Sequence, residues 1–189
     1  MIRGTLTQHF QSLCEGFHRN RSIEKAVLKH CGRLGAGIFQ LLTPFLESNN
    51  NLQSMGFSMC PLNREGMPSL MAPLMRQRRP LNKLEFQWNG INDDLVEGLV
   101  MGVRDNPALC PKTINLSSNI ISVIGCGLFA TLLQDTSCMI EELNFYGSGG
   151  VGDTSAMLLA DALVGNITLR VLVLGGRGIT ATGLRAMSQ

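Results

Sequence analysis

Apolar residues recur along the chain at a fixed spacing, which is clearest in the stretch LNKLEFQWNGI. There Leu81, Leu84, Phe86 and Ile91 are apolar, and Asn89 stands where the run should turn a corner. The spacing L-x-x-L-x-L-x-x-N-x-L describes a short strand followed by a turn, a unit that cannot bury its apolar face alone. Copies of the same unit are therefore expected before and after it.

The unit occurs six times, at intervals of 29 or 30 residues. Two copies precede the stretch LNKLEFQWNGI and three follow it, so one register extends across nearly the whole chain. This regularity predicts six short strands that lie side by side. The matching positions of the other five copies are Ile23, Ala26, Leu28 and Cys31; Leu52, Met55, Phe57, Cys60 and Leu62; Ile114, Leu116, Asn119 and Ile121; Ile140, Leu143 and Phe145; and Leu169, Leu172, Leu174 and Ile179.

An amphipathic stretch follows each predicted strand, with apolar residues at helical spacing on one side. Leu158, Leu159 and Leu163 belong to one such stripe. Asn92–Asp94 and Asp153–Ser155 supply side chains suited to capping the starts of helices. The predicted helices are Thr5–Phe17, Gly37–Glu47, Gly66–Arg76, Asp94–Arg104, Gly125–Leu133, Ser155–Val164 and a last one that begins at Thr182.

The corner position of the unit has a physical role. Asn89 and Asn119 can bond the backbone groups that a turning chain leaves unpaired, which are costly to bury without a partner. The same position holds other residues elsewhere, namely Cys31, Cys60, Ser148 and Arg177. A buried thiol there is a small apolar group with a weak donor. A metal site is not indicated, because Cys31 and Cys60 lie a whole unit apart and the chain has no C-x-x-C.

Units of 28–30 residues with a helix after each strand resemble leucine-rich repeats of the ribonuclease-inhibitor type, and the resemblance covers nearly the whole chain. It implies an α/β fold: a curved, horseshoe-shaped solenoid of about six repeats of 29–30 residues, with a parallel sheet on the concave face and helices on the convex face. Residues 1–189 are expected to form a single domain. Within it, residues 1–22 would hold the helix of a partial repeat and residues 180–189 an incomplete last repeat.

Composition narrows the classes of function. The net charge of +2 is too small to indicate a nucleic-acid or membrane surface, and no apolar run approaches the ~18 residues of a membrane span. No N-terminal stretch resembles a signal peptide, so an intracellular, cytoplasmic location is expected. Repeat arrays need caps over their terminal apolar faces. Self-association through uncapped ends is therefore a further expectation.

One stretch matches a nucleotide-binding motif. Gly147–Gly152 reads G-x-G-x-x-G between a predicted strand and a helix, which is the context of a dinucleotide site. That mechanism also needs an acidic residue at the end of the next strand, but Val171–Leu174 leads into two glycines. Because the motif coincides with a repeat corner, where glycines serve tight turns, a turn is the preferred interpretation.

No other group of residues forms a recognisable catalytic set. His9, His18 and His30 lack a paired nucleophile, and His30 and Cys31, as consecutive strand residues, point to opposite faces. The basic run Arg76–Arg79 is interpreted as a solvated turn or a rim contact. The chain is therefore predicted to be no enzyme and to hold no cofactor and no metal.

The residues that alternate with the buried ones form an open surface on the sheet of such a solenoid. The middle exposed slot of each strand is expected to hold Val27, Gly56, Glu85, Asn115, Asn144 and Val173. Trp88 and Tyr146 are the only Trp and Tyr of the chain, and both map to this surface. Large aromatics among small polar residues are typical of binding hot spots, although local packing at the corner is an alternative for Trp88. The predicted protein-binding residues are Lys83, Glu85, Gln87, Trp88, Asn115, Ser117, Glu142, Asn144 and Tyr146.

Three functions remain open. The first is a protein–protein interaction module that binds a partner protein on the concave face, in a scaffold, sensor or regulatory role. The second follows from the resemblance, because this repeat type also occurs in Ran GTPase activators and NOD-like receptors. A GTPase-activating regulator of a Ran-like small GTPase would position an arginine on its partner, and Arg33, Arg64 and Arg177 are candidates. The third is the sensor part of a larger receptor.

Overall fold

The computed structural model describes residues 2–34, 37–76, 79 and 81–188, and the side chains of all of these except residues 2–7, 33, 34 and 109. Strands and helices alternate throughout this part of the chain. Its strands are β1 (Lys25–Lys29), β2 (Ser54–Ser58), β3 (Lys83–Gln87), β4 (Thr113–Asn115), β5 (Glu142–Asn144) and β6 (Val171–Val173). Its α-helices are α1 (Ile2–Arg19), α2 (Gly37–Ser48), α3 (Gly66–Leu74), α4 (Asp93–Asp105), α5 (Val123–Leu133), α6 (Asp153–Leu163) and α7 (Ala181–Ala186).

The strands form one parallel sheet in chain order, β1 to β6. Lys25 of β1 pairs with Ser54, Ser54 with Lys83, and Lys83 with Thr113. The register continues through β5 and β6 with the same spacing. The predicted repeat of 29 or 30 residues is therefore confirmed along the whole sheet, and the predicted solenoid is the observed fold.

The core lies between the sheet and its helices and is rich in phenylalanine. The rings of Phe57 and Phe86, from adjacent strands, stack with their centroids 6.0 Å apart, and Phe39 of α2 meets Phe57 edge-on at 5.3 Å. Phe129 and Phe145 form a second edge-to-face pair at 5.3 Å. Neighbouring strands lie about 4.8 Å apart whereas packed helices need about 8–10 Å. The sheet must therefore form the inner, concave face of the curve.

The corners are stabilised by the predicted asparagines, each of which reaches back to the preceding repeat. Asn119 is almost fully buried, and its Oδ1 accepts hydrogen bonds from the backbone N–H groups of Asn89 (3.0 Å) and Ile91 (3.1 Å). Its Nδ2 donates to the carbonyl oxygens of Phe86 (2.6 Å) and Leu116 (2.8 Å). Asn89 repeats this role one unit earlier, on Cys60 N–H and on the Phe57 carbonyl. Each amide side chain thus satisfies buried backbone groups that water cannot reach.

The helices begin and end within three residues of the predicted bounds, but one predicted cap is wrong. Asn92 caps α4 as expected, since its side chain accepts from Leu95 N–H. Asp153 does not cap its own helix α6, whose cap position is held by Gly152. Its carboxylate instead accepts from the N–H and hydroxyl of Thr180 and from Gly183 N–H, at the start of α7. The stretch Asp153–Ser155 was predicted to cap α6, whereas the carboxylate of Asp153 serves the helix of the next repeat.

The basic run Arg76–Arg79 is described only in part. Arg76 forms an ion pair with Glu47 at 3.5 Å, and both side chains are largely exposed. Gln77 and Arg78 lie outside the described residues, so the prediction of a solvated turn or rim contact stands as a prediction.

Removal of the Asn119 side chain should destabilise the fold strongly. Asn119→Ala would leave four buried backbone groups without their partner, so we expect the free energy of unfolding to fall by about 3 kcal/mol. The control is Asn115→Ala, because Asn115 lies half-buried on the sheet surface and bonds only the nearby Ser117 N–H in this part of the structure. We expect the free energy of unfolding of this control, measured by urea denaturation, to fall by less than about 1 kcal/mol. Equal losses at the two positions would contradict the role assigned to the corner.

Asp153 should make the stability of the last repeat depend on pH. Hydrogen bonds from the Thr180 hydroxyl and from the N–H groups of Thr180 and Gly183 hold the pKa of Asp153 below its ordinary value of 3.8. A lowered pKa stabilises the folded state above the ordinary value, and this stabilisation is lost as the pH falls through the folded-state pKa. At neutral pH, Asp153→Asn should therefore lower the melting temperature and speed amide exchange in α7. The difference from wild type should shrink in acid.

The control for that experiment is Asp161→Asn, an exposed carboxylate on the same helix. It should leave the melting temperature and the α7 exchange rates close to those of wild type. If the difference in melting temperature between wild type and Asp153→Asn stayed constant down to pH about 2, the carboxylate would not act through its charge.

Candidate protein-binding surface

The nine residues predicted to bind a partner all lie on the sheet surface or at its edge. The inward residues of β3, β4 and β5 are buried in the core, and the residues that alternate with them face away from it. None of the nine is buried, and Trp88, Glu142 and Tyr146 are exposed. The structure therefore brings the nine together on one face, while their role in binding stays a prediction.

Polar groups occupy the middle of this face. Lys83 and Glu85 form an ion pair at 3.1 Å, and the Thr113 hydroxyl donates to Glu142 at 3.4 Å. A shallow depression of about 190 Å³ lies across β3 to β6, and its lining includes Lys83, Asn115 and Glu142. The oxygen of Asn115 accepts from Ser117 N–H, and Asn144 accepts from Tyr146 N–H in the same way. These two asparagines therefore also fix the backbone where each strand ends.

Gly56 is a correction to the predicted exposed slot, because it is buried. The two methyl groups of Val27 and the Oε2 of Glu85 close over it from the adjacent strands, at 3.4 to 3.5 Å from the place a Cβ would take. A residue without a side chain cannot keep its neighbours apart, so they cover it. The side chains of Val27 in β1 and Glu85 in β3 therefore lie on either side of Gly56 and both cover it.

Trp88 stands at the end of β3 in a left-handed backbone conformation, with φ of 59°, and its side chain is 59% exposed. His30, Met59 and Ser118 occupy the same place in other repeats and have φ between 54° and 58°. The N–H of Trp88 donates to Ser117 O (3.3 Å) of the next repeat. Because residues other than glycine rarely adopt this conformation, the corner imposes it, and the corner thereby fixes the direction in which the indole leaves the backbone.

Tyr146 stands at the end of β5, and its ring lies over the neighbouring strand end. The side chain is 61% exposed. A Cβ on Gly175 would lie 2.5 Å from the Cδ2 of the tyrosine ring. The absence of a side chain at Gly175 therefore provides the space for this ring. Both aromatics are exposed, and they stand at strand ends two strands or about 10 Å apart.

Two exposed apolar residues on the same rim were not singled out from the sequence. Ile120 is 68% exposed in the corner after β4, and Ile124 is 65% exposed in the first turn of α5. Ile120 could have been noticed by aligning the repeats, because the neighbouring repeats have Gly90 and Gly149 at the equivalent positions. A large apolar residue where neighbouring repeats have glycine indicates a role outside the common fold.

The glycine-rich motif forms a corner of the solenoid, in agreement with the turn interpretation. The N–H groups of Gly147 and Gly150 donate to the carbonyl oxygens of Gly175 and Ile121, in the repeats on either side. A Cβ on Gly150 would lie 2.7 Å from the Cα of Ser122. Backbone groups that a pyrophosphate would need are thus engaged by the protein, and the glycine is required for close packing of two corners.

His18 has a structural partner, since its Nδ1 lies 3.0 Å from the Pro44 carbonyl oxygen and 3.1 Å from the Ser48 hydroxyl. These contacts join α1 to α2.

No helix in the described part of the chain is long and apolar enough to cross a membrane.

The parallel sheet, its register and the asparagine corners define the chain as a solenoid of the leucine-rich-repeat type. Among solved structures, the chain is similar to the tropomodulin C-terminal domain of Caenorhabditis elegans, with a TM-score of 0.50 and 14% sequence identity over 94% of this chain and 89% of that chain. At that identity the likeness shows the fold alone. No family profile and no curated protein matches the sequence.

Substitutions at Trp88 should reveal the conformation that the corner imposes. Glycine adopts a left-handed conformation without penalty, whereas alanine does not, so Trp88→Gly should be more stable than Trp88→Ala by about 1 kcal/mol. At Gln87, an ordinary strand position, the order should reverse, with Gln87→Gly less stable than Gln87→Ala by about 0.5–1 kcal/mol. Urea denaturation of the four variants measures both differences. The same order at both positions would contradict the imposed conformation.

Proposed function

We propose that the chain is a non-catalytic protein-binding module whose partner docks on the sheet face and its rim, around Trp88 and Tyr146. The observation that carries the proposal is the pair of large aromatic side chains, each about 60% exposed. The corner fixes the backbone of Trp88, and Gly175 leaves room for the ring of Tyr146. Aromatic side chains are enriched at binding hot spots, and a backbone that is already ordered lowers the entropy lost on binding.

The surroundings of the two aromatics support the same proposal. Polar residues of β3 to β5 lie between them on the sheet face, and the apolar side chains of Ile120 and Ile124 extend the rim. An apolar centre beside satisfied polar groups is the usual arrangement of a protein interface. The rigid sheet would present this surface ready-made, with little ordering cost on binding.

The subtype of the repeat is part of the proposal. Helices of 9 to 13 residues connect successive strands from β1 to β6. Together with the 29- or 30-residue repeat, these helices support the ribonuclease-inhibitor type. The partner is accordingly proposed to be a folded protein that enters the concave side of the sheet, in a scaffold or regulatory role.

The GTPase-activator alternative has no specific observation in its favour. Arg64 forms an ion pair with Asp94 across adjacent repeats rather than extending freely toward a partner. Arg177 is exposed in the last repeat, and the side chain of Arg33 is not described. We expect the chain to leave the rate of GTP hydrolysis by a Ran-type GTPase unchanged.

Photo-cross-linking tests the proposed surface directly. A p-benzoylphenylalanine introduced in place of Trp88 or Tyr146 should capture the partner in a cell lysate. The matched control carries the same group in place of Met101, which is 56% exposed on α4. We expect one protein to be captured from the two sheet positions and not from position 101. Capture of the same proteins from all three positions would contradict the proposed surface.

The partner captured in this way then allows an affinity measurement. Trp88→Gly should weaken binding of the purified partner by about 30-fold, because loss of a hot-spot aromatic removes at least about 2 kcal/mol. Met101→Ala should change the affinity less than threefold, at roughly the scale of non-hot-spot contacts. Unchanged affinity in a folded Trp88→Gly variant would place the interface elsewhere.

A further inference from the structure

Two cysteines occupy the corner position of the first two repeats, where later repeats have asparagine. Lys29 and Ser58 are paired across β1 and β2, so Cys31 and Cys60, two residues further on, are neighbours in the same register. The N–H of Cys31 donates to the sulfur of Cys60 at 3.4 Å. Matching residues of adjacent parallel strands lie about 4.8 Å apart, within the Cα···Cα range of about 4.4–6.8 Å that a disulfide spans.

The two sulfurs border a small cavity. It has a volume of about 220 Å³, and its lining includes Cys31, Cys60, Ile38, Phe39 and Pro61. Cys60 is 2% exposed, whereas Cys31 is half-buried. A small oxidant therefore has a place to reach Cys31, and Cys60 stands behind it as a second thiol.

We propose that Cys31 and Cys60 are a modification site, at which a hydroperoxide such as hydrogen peroxide forms a reversible disulfide between the first two repeats. The Cys31 thiolate attacks one peroxide oxygen, the O–O bond breaks, and the leaving hydroxide takes up a proton to become water. The Cys60 sulfur then attacks the resulting sulfenic acid on Cys31, and the second oxygen leaves as water with the Cys60 proton. Two thiols and one hydrogen peroxide thus give one disulfide and two waters.

The environment of Cys31 sets the rate of the first step. Burial, together with the neighbouring Cys60 thiol, raises the pKa of Cys31 to about 12. Only the thiolate reacts, so its small fraction at neutral pH makes the reaction slow and strongly dependent on pH. The rate should rise about tenfold for each pH unit well below that pKa.

The disulfide would connect the terminal repeat covalently to its neighbour. His30 and Met59, the left-handed residues that precede the two cysteines, belong to the same rim position as Trp88. In the described sheet β1 is an edge strand that pairs only with β2, and edge elements open more readily than central ones. Oxidation should therefore slow amide exchange in β1 and α2. Any effect on partner binding rests on the proposed function, whereas the chemistry of the disulfide does not.

Peptide mapping without reduction tests the proposal on the full chain. Trypsin cleaves after Lys29 and Arg33, so Cys31 is released in residues 30–33 and Cys60 in residues 34–64. After treatment with hydrogen peroxide and alkylation of free thiols, we expect these two peptides to be linked and to separate on addition of dithiothreitol. Cys110 and Cys138 fall in other peptides, residues 105–112 and 113–170, which makes a different pairing visible.

Single variants distinguish the two roles. In Cys60→Ser, Cys31 should accumulate as sulfenic acid that reacts with dimedone, and in Cys31→Ser no dimedone adduct should form at Cys60. The far-UV circular dichroism of both reduced variants should match that of the reduced wild type, and both should melt cooperatively, which shows that the fold is intact. Recovery of residues 30–33 only as free or over-oxidised peptide, or linked to a cysteine other than Cys60, would overturn the proposal.

Discussion

The rest of the structure depends on how the chain buries its corners. Each strand of the solenoid ends by turning away from the sheet into the protein interior, which leaves backbone N–H and carbonyl groups that water cannot satisfy. The amide of Asn119 serves four such groups, three of them in the preceding repeat. An asparagine suits this task because one side chain carries both donors and an acceptor. The corner therefore fixes the separation and the register of two repeats together.

In each repeat, the residues that stabilise the fold and the residues proposed to bind a partner occupy different positions. Inward residues such as Leu84 and Phe86 must fit the core, and the corner residue must supply hydrogen bonds. Glu85 and Gln87, which alternate with them, face the opposite side of the sheet and do not have to fit the core. The backbone N–H of the left-handed residue between strand and corner bonds the next repeat, so a large, mostly exposed side chain such as that of Trp88 can stand there. Specificity can thus change on this face while the fold is kept.

Features that follow from the repeat period could be predicted from the sequence, whereas features that depend on side-chain contacts between repeats could not. The register, the helices and the buried role of Asn89 all follow from the 29- or 30-residue spacing and were confirmed by the structure. Asp153 was assigned to its own helix, because a local pattern does not show that its carboxylate reaches the next repeat. Gly56 was expected to be exposed, but its burial depends on Val27 and Glu85, which lie one repeat away on either side. The repeat period showed on which face of the sheet the predicted binding residues lie. The identity of their partner does not follow from any spacing of residues.

The unequal strength of the corners gives the solenoid a firm middle and weaker ends. Asn89 and Asn119 bond the repeats around β3 at distances of 2.6 to 3.1 Å. Toward the start, Cys60 offers only weak sulfur contacts at 3.4 Å to the first repeat, and toward the end Ser148 reaches Leu116 at 3.4 Å. Trp88 directly precedes Asn89, and its corner is bonded on both sides: Asn89 bonds the repeat before it, and Asn119 of the next repeat bonds the N–H groups of Asn89 and Ile91. An aromatic side chain loses less entropy on binding where its backbone is already fixed, so a corner that is bonded on both sides suits the proposed hot spot.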